Sequence, residues 1–244
     1  SGLIRYSPEG EIEPELAESI DISDGGKTYT ARLRNGLAWH DGEPLTANDI
    51  VFTIKTIQNP EFKSPYRQNW QGVLLEKLDE RTVRFLLRQP YAPFIENLAV
   101  GIIPEHLWSK IPTQSAPLSE LNLKPVGSGP YKFENFTRLP DGSITSYTLT
   151  AFRSFFRGRP HIKEISFSFY SSEAELAAAF RKGEIDGLST ILAKDLPGLK
   201  KTDLQIFSLS IPRIVGIFFN EAQQEALADK NIRLALAKAI DVNS

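Results

Sequence analysis

Hydrophobic residues alternate with polar residues in several segments of the chain, and this period of two predicts half-buried strands. Within residues 28–34, Tyr29, Ala31 and Leu33 alternate with polar neighbours directly after an Asp-Gly-Gly turn. The same alternation predicts further strands at residues 82–88, 131–136, 145–152 and 165–169. The pattern therefore predicts sheets in both halves of the chain.

Three other segments carry apolar residues at the spacing of an amphipathic helix. The first begins at Thr46, a good helix cap with Asp49 three positions later, and it ends at Asn59 before a proline. The second begins at Ser172 and ends at Gly183, which suits a left-handed stop. The third is predicted near the end of the chain from the apolar residues Ile232, Ala235, Leu236, Ala239 and Ile240.

The order of these elements indicates a division of the chain near Lys124. Residues 109–125 hold three prolines among small polar residues, which is typical of a connection. Beyond it we expect a short strand at Ile185 and strands at 204–209 and 214–219, the last an apolar run suited to burial on both faces. Strands alternating with helices predict an α/β layer in the second half, and the first half predicts a mixed α+β unit.

Composition narrows the function classes without naming one. The chain has 244 residues, 41% of them hydrophobic, and a formal net charge of −2, so its overall charge provides no attraction to nucleic acid. The absence of cysteine excludes disulfides and thiolate metal sites within these residues. No methionine is present, and no apolar run approaches the roughly 20 residues that cross a bilayer. We therefore expect an upstream segment to be missing and no membrane span in this one.

Three blocks of sequence resemble a known family. The first runs from Ile12 to Asp49 and includes WHDGEPLT at 39–46, the second is PVGSGPY at 125–131, and the third is NIRLALAKAID at 231–241. In this order they are similar to the family 5 extracellular solute-binding proteins, the oligopeptide, dipeptide and nickel receptors of ABC importers. The resemblance implies a type II periplasmic-binding fold of the α/β class, incomplete at both ends.

The resemblance also implies how the chain is divided. Residues 1–124 correspond to the family's extra subdomain of the first lobe, residues 125–216 to part of the main first lobe, and residues 217–244 to the start of the second lobe. Receptors of this family enclose their ligand between the lobes. We therefore expect half of the pocket to be missing and the 244 residues alone to lack a high-affinity site.

Four residues are candidates for ligand contact. The resemblance places Tyr66 and Trp70 among cleft-facing aromatic residues, where a ring lines the pocket and its polar tip forms hydrogen bonds. Phe219 and Asn220 end the predicted strand that passes between the lobes, so they are candidates for ligand or hinge contacts. The alternative is structural in each case, namely a packed loop for the first pair and a plain crossover for the second.

Other groups of reactive residues fit structural interpretations better. The GSG run at 127–129 meets neither the phosphate-loop nor the nucleophile-elbow pattern, so a tight turn is favoured. Asp41 and Glu43 beside His40 predict a turn before the helix cap rather than an acid–base pair. The three histidines are far apart and indicate no local metal motif. Basic and phenylalanine residues interleave between 152 and 163, where a solvated loop or an importer-docking surface is favoured over a nucleic-acid site.

The sequence thus predicts a binding protein rather than an enzyme, with no catalytic residue, metal or cofactor. Its expected partners are a short peptide or similar small solute and the transmembrane subunits of an ABC permease. We expect a monomer in the periplasm or outside the cell, with an upstream lipid anchor as one form of attachment. A sensory or scaffolding module and an extracellular hydrolase are the rival interpretations, because a fold does not dictate its use. No nucleophile with an orienting partner supports the hydrolase.

Overall fold

The computed structural model describes residues 1–189, 204–207 and 216–240. The chain separates into two compact units, Ser1–Ile191 and Leu192–Ser244. The division expected near residue 124 from the proline-containing connection, and the division near residue 216 implied by the resemblance, stay predictions. Most of the described helices and strands belong to the first unit.

The first unit opens with a short hairpin and a four-stranded sheet, both antiparallel. The hairpin pairs β1 (Ile4–Tyr6) with β2 (Ile12–Pro14). The sheet is formed by β3 (Ala17–Ser23), β4 (Thr28–Leu33), β5 (Leu74–Asp79) and β6 (Thr82–Leu86), in the order β3-β4-β6-β5. The strands predicted in this region are confirmed as β4 and β6, and Tyr29 and Leu33 are buried as their alternation requires.

Helix α1 (Ala47–Gln58) has the predicted boundaries because its cap forms as the sequence indicates. The Thr46 hydroxyl accepts a hydrogen bond from the backbone N–H of Asn48 at 3.2 Å, and the Asp49 carboxylate accepts one from the backbone N–H of Thr46 at 2.9 Å. Its apolar stripe packs on β5 and β6, where Ile50 is 0% exposed and Ile54 1% exposed. Burial of each of these side chains contributes about 1.5–3 kcal/mol.

Aromatic rings form the centre of the core in the first unit. The first unit also contains three short helices, α2 (Arg67–Trp70), α3 (Phe94–Asn97) and α4 (Glu105–Trp108). The ring of Phe94 lies edge-on to Trp70 at 5.4 Å and to Tyr29 at 4.9 Å between centroids, an arrangement that aromatic quadrupoles favour. Helix α3 thus positions Phe94 between the rings of Tyr29 and Trp70.

A second antiparallel sheet follows the proline-containing connection. Strands β7 (Tyr131–Arg138), β8 (Ile144–Ala151) and β9 (Glu164–Ser168) pair in that order. Helix α5 (Glu173–Lys182) comes next. The Ser172 hydroxyl accepts a hydrogen bond from the backbone N–H of Glu175 at 3.2 Å, and Gly183 ends the helix with φ of 78°. The three predicted strands and the predicted helix are confirmed.

The second unit contains a 3₁₀ turn at Glu225–Ala228 and helix α6 (Lys230–Ala239). The predicted final helix is therefore confirmed. Mixed helices and antiparallel sheets also agree with the predicted fold class.

Three predicted strands are wrong over the residues that the structure describes. Ile185 and residues 204–207 and 216–219 adopt no strand, and the rest of the last two predictions lies outside the described residues. Ile217 is 65% exposed and Phe218 is 95% exposed, the opposite of two-sided burial. A strand needs a neighbour to pair its N–H and C=O groups, and no strand among the described residues pairs with these segments.

Candidate functional site

Tyr66 lies at the exposed start of α2, in a loop that is tied to α1. The side-chain amide of Gln58 donates to the carbonyls of Trp70 and Val73, both at 2.8 Å. The guanidinium of Arg67 donates to the Gln58 carbonyl at 3.1 Å. Tyr66 itself is 55% exposed. The loop therefore presents an aromatic ring to solvent from a backbone that is fixed to α1.

Trp70, four residues further along, is buried in the core. It is 1% exposed and packs against Phe85 at 5.8 Å and Phe94 at 5.4 Å between ring centroids. This position favours the structural interpretation, since Trp70 anchors the loop that carries Tyr66. Contact of either residue with a ligand stays a prediction.

Phe219 and Asn220 belong to the second unit. Phe219 is half-buried and Asn220 is exposed. The Asn220 side-chain oxygen accepts a hydrogen bond from the backbone N–H of Gln223 at 3.2 Å, and its carbonyl accepts from the N–H groups of Gln223 and Gln224 at 3.3 Å. Asn220 thus closes a turn on its C-terminal side. Its role at a hinge or ligand site stays a prediction.

His40 joins the first sequence block to the second. Its Nδ1 accepts a hydrogen bond from the backbone N–H of Gly127 at 3.1 Å, and its Nε2 lies 3.0 Å from the carbonyl of Gly129. These two contacts require the neutral tautomer with the proton on Nε2. Burial lowers the pKa of His40, because a charged imidazolium loses its hydration in the interior. The ring also lies edge-on to Phe152 at 5.0 Å between centroids.

The GSG run forms a bend that packs closely against His40 at Gly127, and no hydrogen-bonded turn is present there among the described residues. A Cβ on Gly127 would lie 3.2 Å from Cε1 of His40, so a larger residue would displace the imidazole. Ser128 is 2% exposed. The signature residues at this junction therefore stabilise the fold.

A buried carboxylate makes a second connection within the first unit. Glu15 is 8% exposed, and its Oε2 lies 3.0 Å from the guanidinium of Arg157 and 3.4 Å from that of Arg5. Arg157 also donates to the carbonyl of Pro14 at 2.7 Å. A buried carboxylate that lost these cations would be left uncompensated. The loop between β8 and β9 is thereby fixed to the start of the chain.

Asp41 pairs with His106 at 2.8 Å across the surface of the first unit. This contact ties the turn before α1 to α4. Among the residues described by the structure, no group of three or more potential ligands could hold a metal ion. No described helix is long and apolar enough to cross a membrane.

The sequence profile of the bacterial extracellular solute-binding proteins, family 5 Middle, matches residues 11–244. The match includes all three blocks on which the resemblance rests. The chain belongs to this family. Proteins of family 5 are binding receptors of the periplasm or the extracellular space, so the prediction that the chain is not an enzyme is confirmed.

Two relatives illustrate the match in sequence. Oligopeptide-binding protein AppA of Bacillus subtilis (strain 168) is 29% identical over 248 residues, an alignment that covers 100% of this chain and 45% of AppA. The dipeptide-binding protein of Escherichia coli (strain K12) is 29% identical over 253 residues, covering 95% of this chain and 46% of the relative. The chain thus spans about half the length of these relatives.

Solved structures match the fold. NikZ from Campylobacter jejuni, in complex with Ni(L-His), gives a TM-score of 0.79 at 27% identity and covers 98% of this chain and 47% of NikZ. AppA from Bacillus subtilis, in complex with a nonapeptide, gives a TM-score of 0.75 at 26% identity and covers 83% of this chain and 40% of AppA. The predicted type II periplasmic-binding fold is confirmed.

The sequence interpretation missed the polar contacts that fix these loops. Arg157 reaches the carbonyl of Pro14 across 143 residues of sequence, so no local spacing reveals the pair. Gln58 left a weak signal, since it is a polar residue beside the apolar stripe at the end of a predicted helix. Only the fold shows that its amide binds two carbonyls of the next loop.

Proposed function

We propose that the complete protein captures a short peptide or similar small solute between two lobes and delivers it to the transmembrane subunits of an ABC permease. The carrying observation is the family match over residues 11–244, together with relatives named for oligopeptide and dipeptide binding. Closure of the lobes is driven by the tighter binding of ligand to the closed state. The protein acts as a monomer, and an upstream lipid anchor is one way to hold it near the permease.

The division of the chain belongs to the same proposal. Residues 1–124 form the extra subdomain, residues 125–216 part of the first lobe and residues 217–244 the start of the second lobe. Phe219 and Asn220 would then lie at the crossover between lobes. Tyr66 contributes an aromatic wall to the pocket, and Trp70 supports it from the core.

Native mass spectrometry of the complete protein, purified under mild conditions, tests the solute class. We expect a co-purified peptide or small polar solute at one copy per protein. In cells, deletion of the permease genes should abolish uptake of that solute. Uptake that persists without the permease, or a complete protein that retains no solute, would contradict the proposal.

Calorimetric titration of the identified solute tests Tyr66. We expect Tyr66→Ala to weaken binding roughly tenfold, because one ring contact and its hydrogen bond are lost. Tyr6→Ala is the matched control, since Tyr6 is 49% exposed on the β1–β2 hairpin and should leave affinity unchanged. Equal dissociation constants for Tyr66→Ala and the wild type would assign Tyr66 to the loop surface alone.

A further inference from the structure

An open pocket of about 530 Å³ lies on the β7–β9 sheet, beside the loop that joins β8 to β9. Its charged lining consists of Lys132, Arg153, Arg159, Lys163, Glu134 and Glu164. Four cations and two carboxylates leave a formal excess of two positive charges. A concave surface with an excess of positive charge concentrates the electric field and attracts an anionic ligand.

The sheet register positions the floor of this pocket. Lys132 pairs directly with Thr150 on β8, and Thr150 pairs with Glu164 on β9, so the three side chains form one row across the sheet. The Thr150 hydroxyl donates to the carboxylate of Glu134 at 3.3 Å. A cation, a hydroxyl and two carboxylates are therefore held on the sheet, with Glu134 at an irregularity in the pairing of β7.

The neighbouring loop is anchored on its other side. Arg157 binds the buried Glu15 at 3.0 Å and the Pro14 carbonyl at 2.7 Å. Phe152, which is 8% exposed, packs edge-on against His40. These anchors lie on either side of Arg153, and Arg159 follows them closely. The two guanidinium groups thus project from a fixed segment.

The four cations of the pocket make no ion pair or side-chain hydrogen bond with any other described residue. By comparison, Arg157 in the same loop forms an ion pair with Glu15 and a hydrogen bond to the Pro14 carbonyl. The excess positive charge in the pocket is unfavourable, and an anionic ligand would offset it.

We propose that this pocket binds a small phosphate monoester that also carries hydroxyl groups. A phosphate monoester has about two negative charges at neutral pH, which matches the excess charge of the lining. Arginine guanidinium groups bind phosphate oxygens in a bidentate manner. Glu134 and Glu164 can accept hydrogen bonds from hydroxyl groups of the same ligand. The proposal includes that this site is distinct from the solute site of the proposed function.

Calorimetric titration of the complete protein with glucose 6-phosphate at low ionic strength tests the site. We expect saturable binding at one copy per protein, no binding of glucose, and competition by inorganic phosphate. The double variant Arg153→Gln/Arg159→Gln should weaken binding by about tenfold or more, because two charge-assisted contacts are lost. Lys182→Gln is the matched control, since it removes an exposed cation of α5 outside the pocket, and it should bind like the wild type.

Several results would overturn the proposal. One is the absence of saturable binding to glucose 6-phosphate. Another is equal affinity of the double variant and the wild type for this ligand. A third is a loss of affinity in Lys182→Gln as large as that in the double variant. Vesicles containing phosphatidylglycerol provide a further arm, because binding to vesicles without binding to glucose 6-phosphate would assign the cations to lipid headgroups. Transport solute should bind the double variant normally, and loss of that binding would refute the separation of the two sites.

Discussion

Helices α1 and α6 carry the same kind of amphipathic pattern but bury different amounts of it. In α1, Ile50 is 0% exposed and Ile54 is 1% exposed, because the stripe faces a sheet. In α6, Ile232 is 38% exposed and Leu236 is 43% exposed, and no residue of this helix is buried. Helical spacing thus predicts that a helix forms, whereas burial depends on a surface for it to pack against.

The largest expected difference between the two helices comes from truncating one isoleucine in each. Ile54→Ala in α1 should lower the free energy of unfolding by about 2–5 kcal/mol, because it leaves a cavity in a packed core. Ile232→Ala in α6 should cost less than about 1 kcal/mol in the 244-residue chain, because its side chain is already partly hydrated. Urea unfolding followed by circular dichroism measures both. Equal losses would show that the two stripes are packed alike.

The helix caps give a smaller difference of the same kind. Asp49 is 4% exposed, and its carboxylate accepts hydrogen bonds from the backbone N–H groups of Thr46 and Glu105, both at 2.9 Å. Asp49→Ala leaves two donors without their partner, so we expect a loss of about 1–3 kcal/mol in the free energy of unfolding. Asp229→Ala removes one exposed cap contact, to the N–H of Asn231 at 2.7 Å, and should cost about 0.5–1 kcal/mol. A larger effect at Asp229 would reverse the comparison.

The smallest expected difference between the two units is in how their stability depends on pH. All three histidines lie in the first unit, and burial lowers the pKa of His40 in the folded state. The neutral imidazole is favoured by folding, so its stabilising contribution is complete above about pH 6.5, the pKa of an unfolded histidine. The contribution is lost as the pH falls from there through the lowered pKa of the folded protein.

Urea unfolding at pH 7, 6 and 5 measures this contribution of His40. His40→Gln should reduce the loss of stability over this range, whereas His161→Gln, at an exposed position, should retain the loss seen in the wild type. A pH profile that is identical in His40→Gln and the wild type would show that the imidazole does not control the junction.

Local patterns predicted several elements even where the strands pair with distant segments, as β4 does with β6. The capping residues of α1 and α5 and the alternation in β4, β6, β7, β8 and β9 predicted those elements correctly. The strands predicted at 204–209 and 214–219 failed over their described residues, because an apolar run supplies no hydrogen-bonding neighbour. Strands β1 and β2 were not predicted, since three residues give too little periodicity.

The candidate site, too, was predictable only in part from the sequence. The sequence singled out Tyr66 and Trp70 together, yet the structure exposes one ring and buries the other. Two residues four positions apart in a short loop can lie in different environments, because the core covers only one side of the loop. The polar contacts of Gln58, Glu15 and Arg157 that hold these loops depend on chain crossings that no single segment encodes.

The sequence by itself determined the caps of the helices and the absence of cysteine chemistry, because these follow from residue types at short spacing. The resemblance of its three blocks to family 5 implied the family and the class of fold. Only the tertiary structure brings His40 into hydrogen-bonding contact with both glycines of the GSG run. It also places Trp70 beneath the loop of Tyr66 and four cations in one pocket. The physical reason is that burial, hydration and the nearest charge of a side chain depend on residues distant in sequence, which meet only when the chain folds.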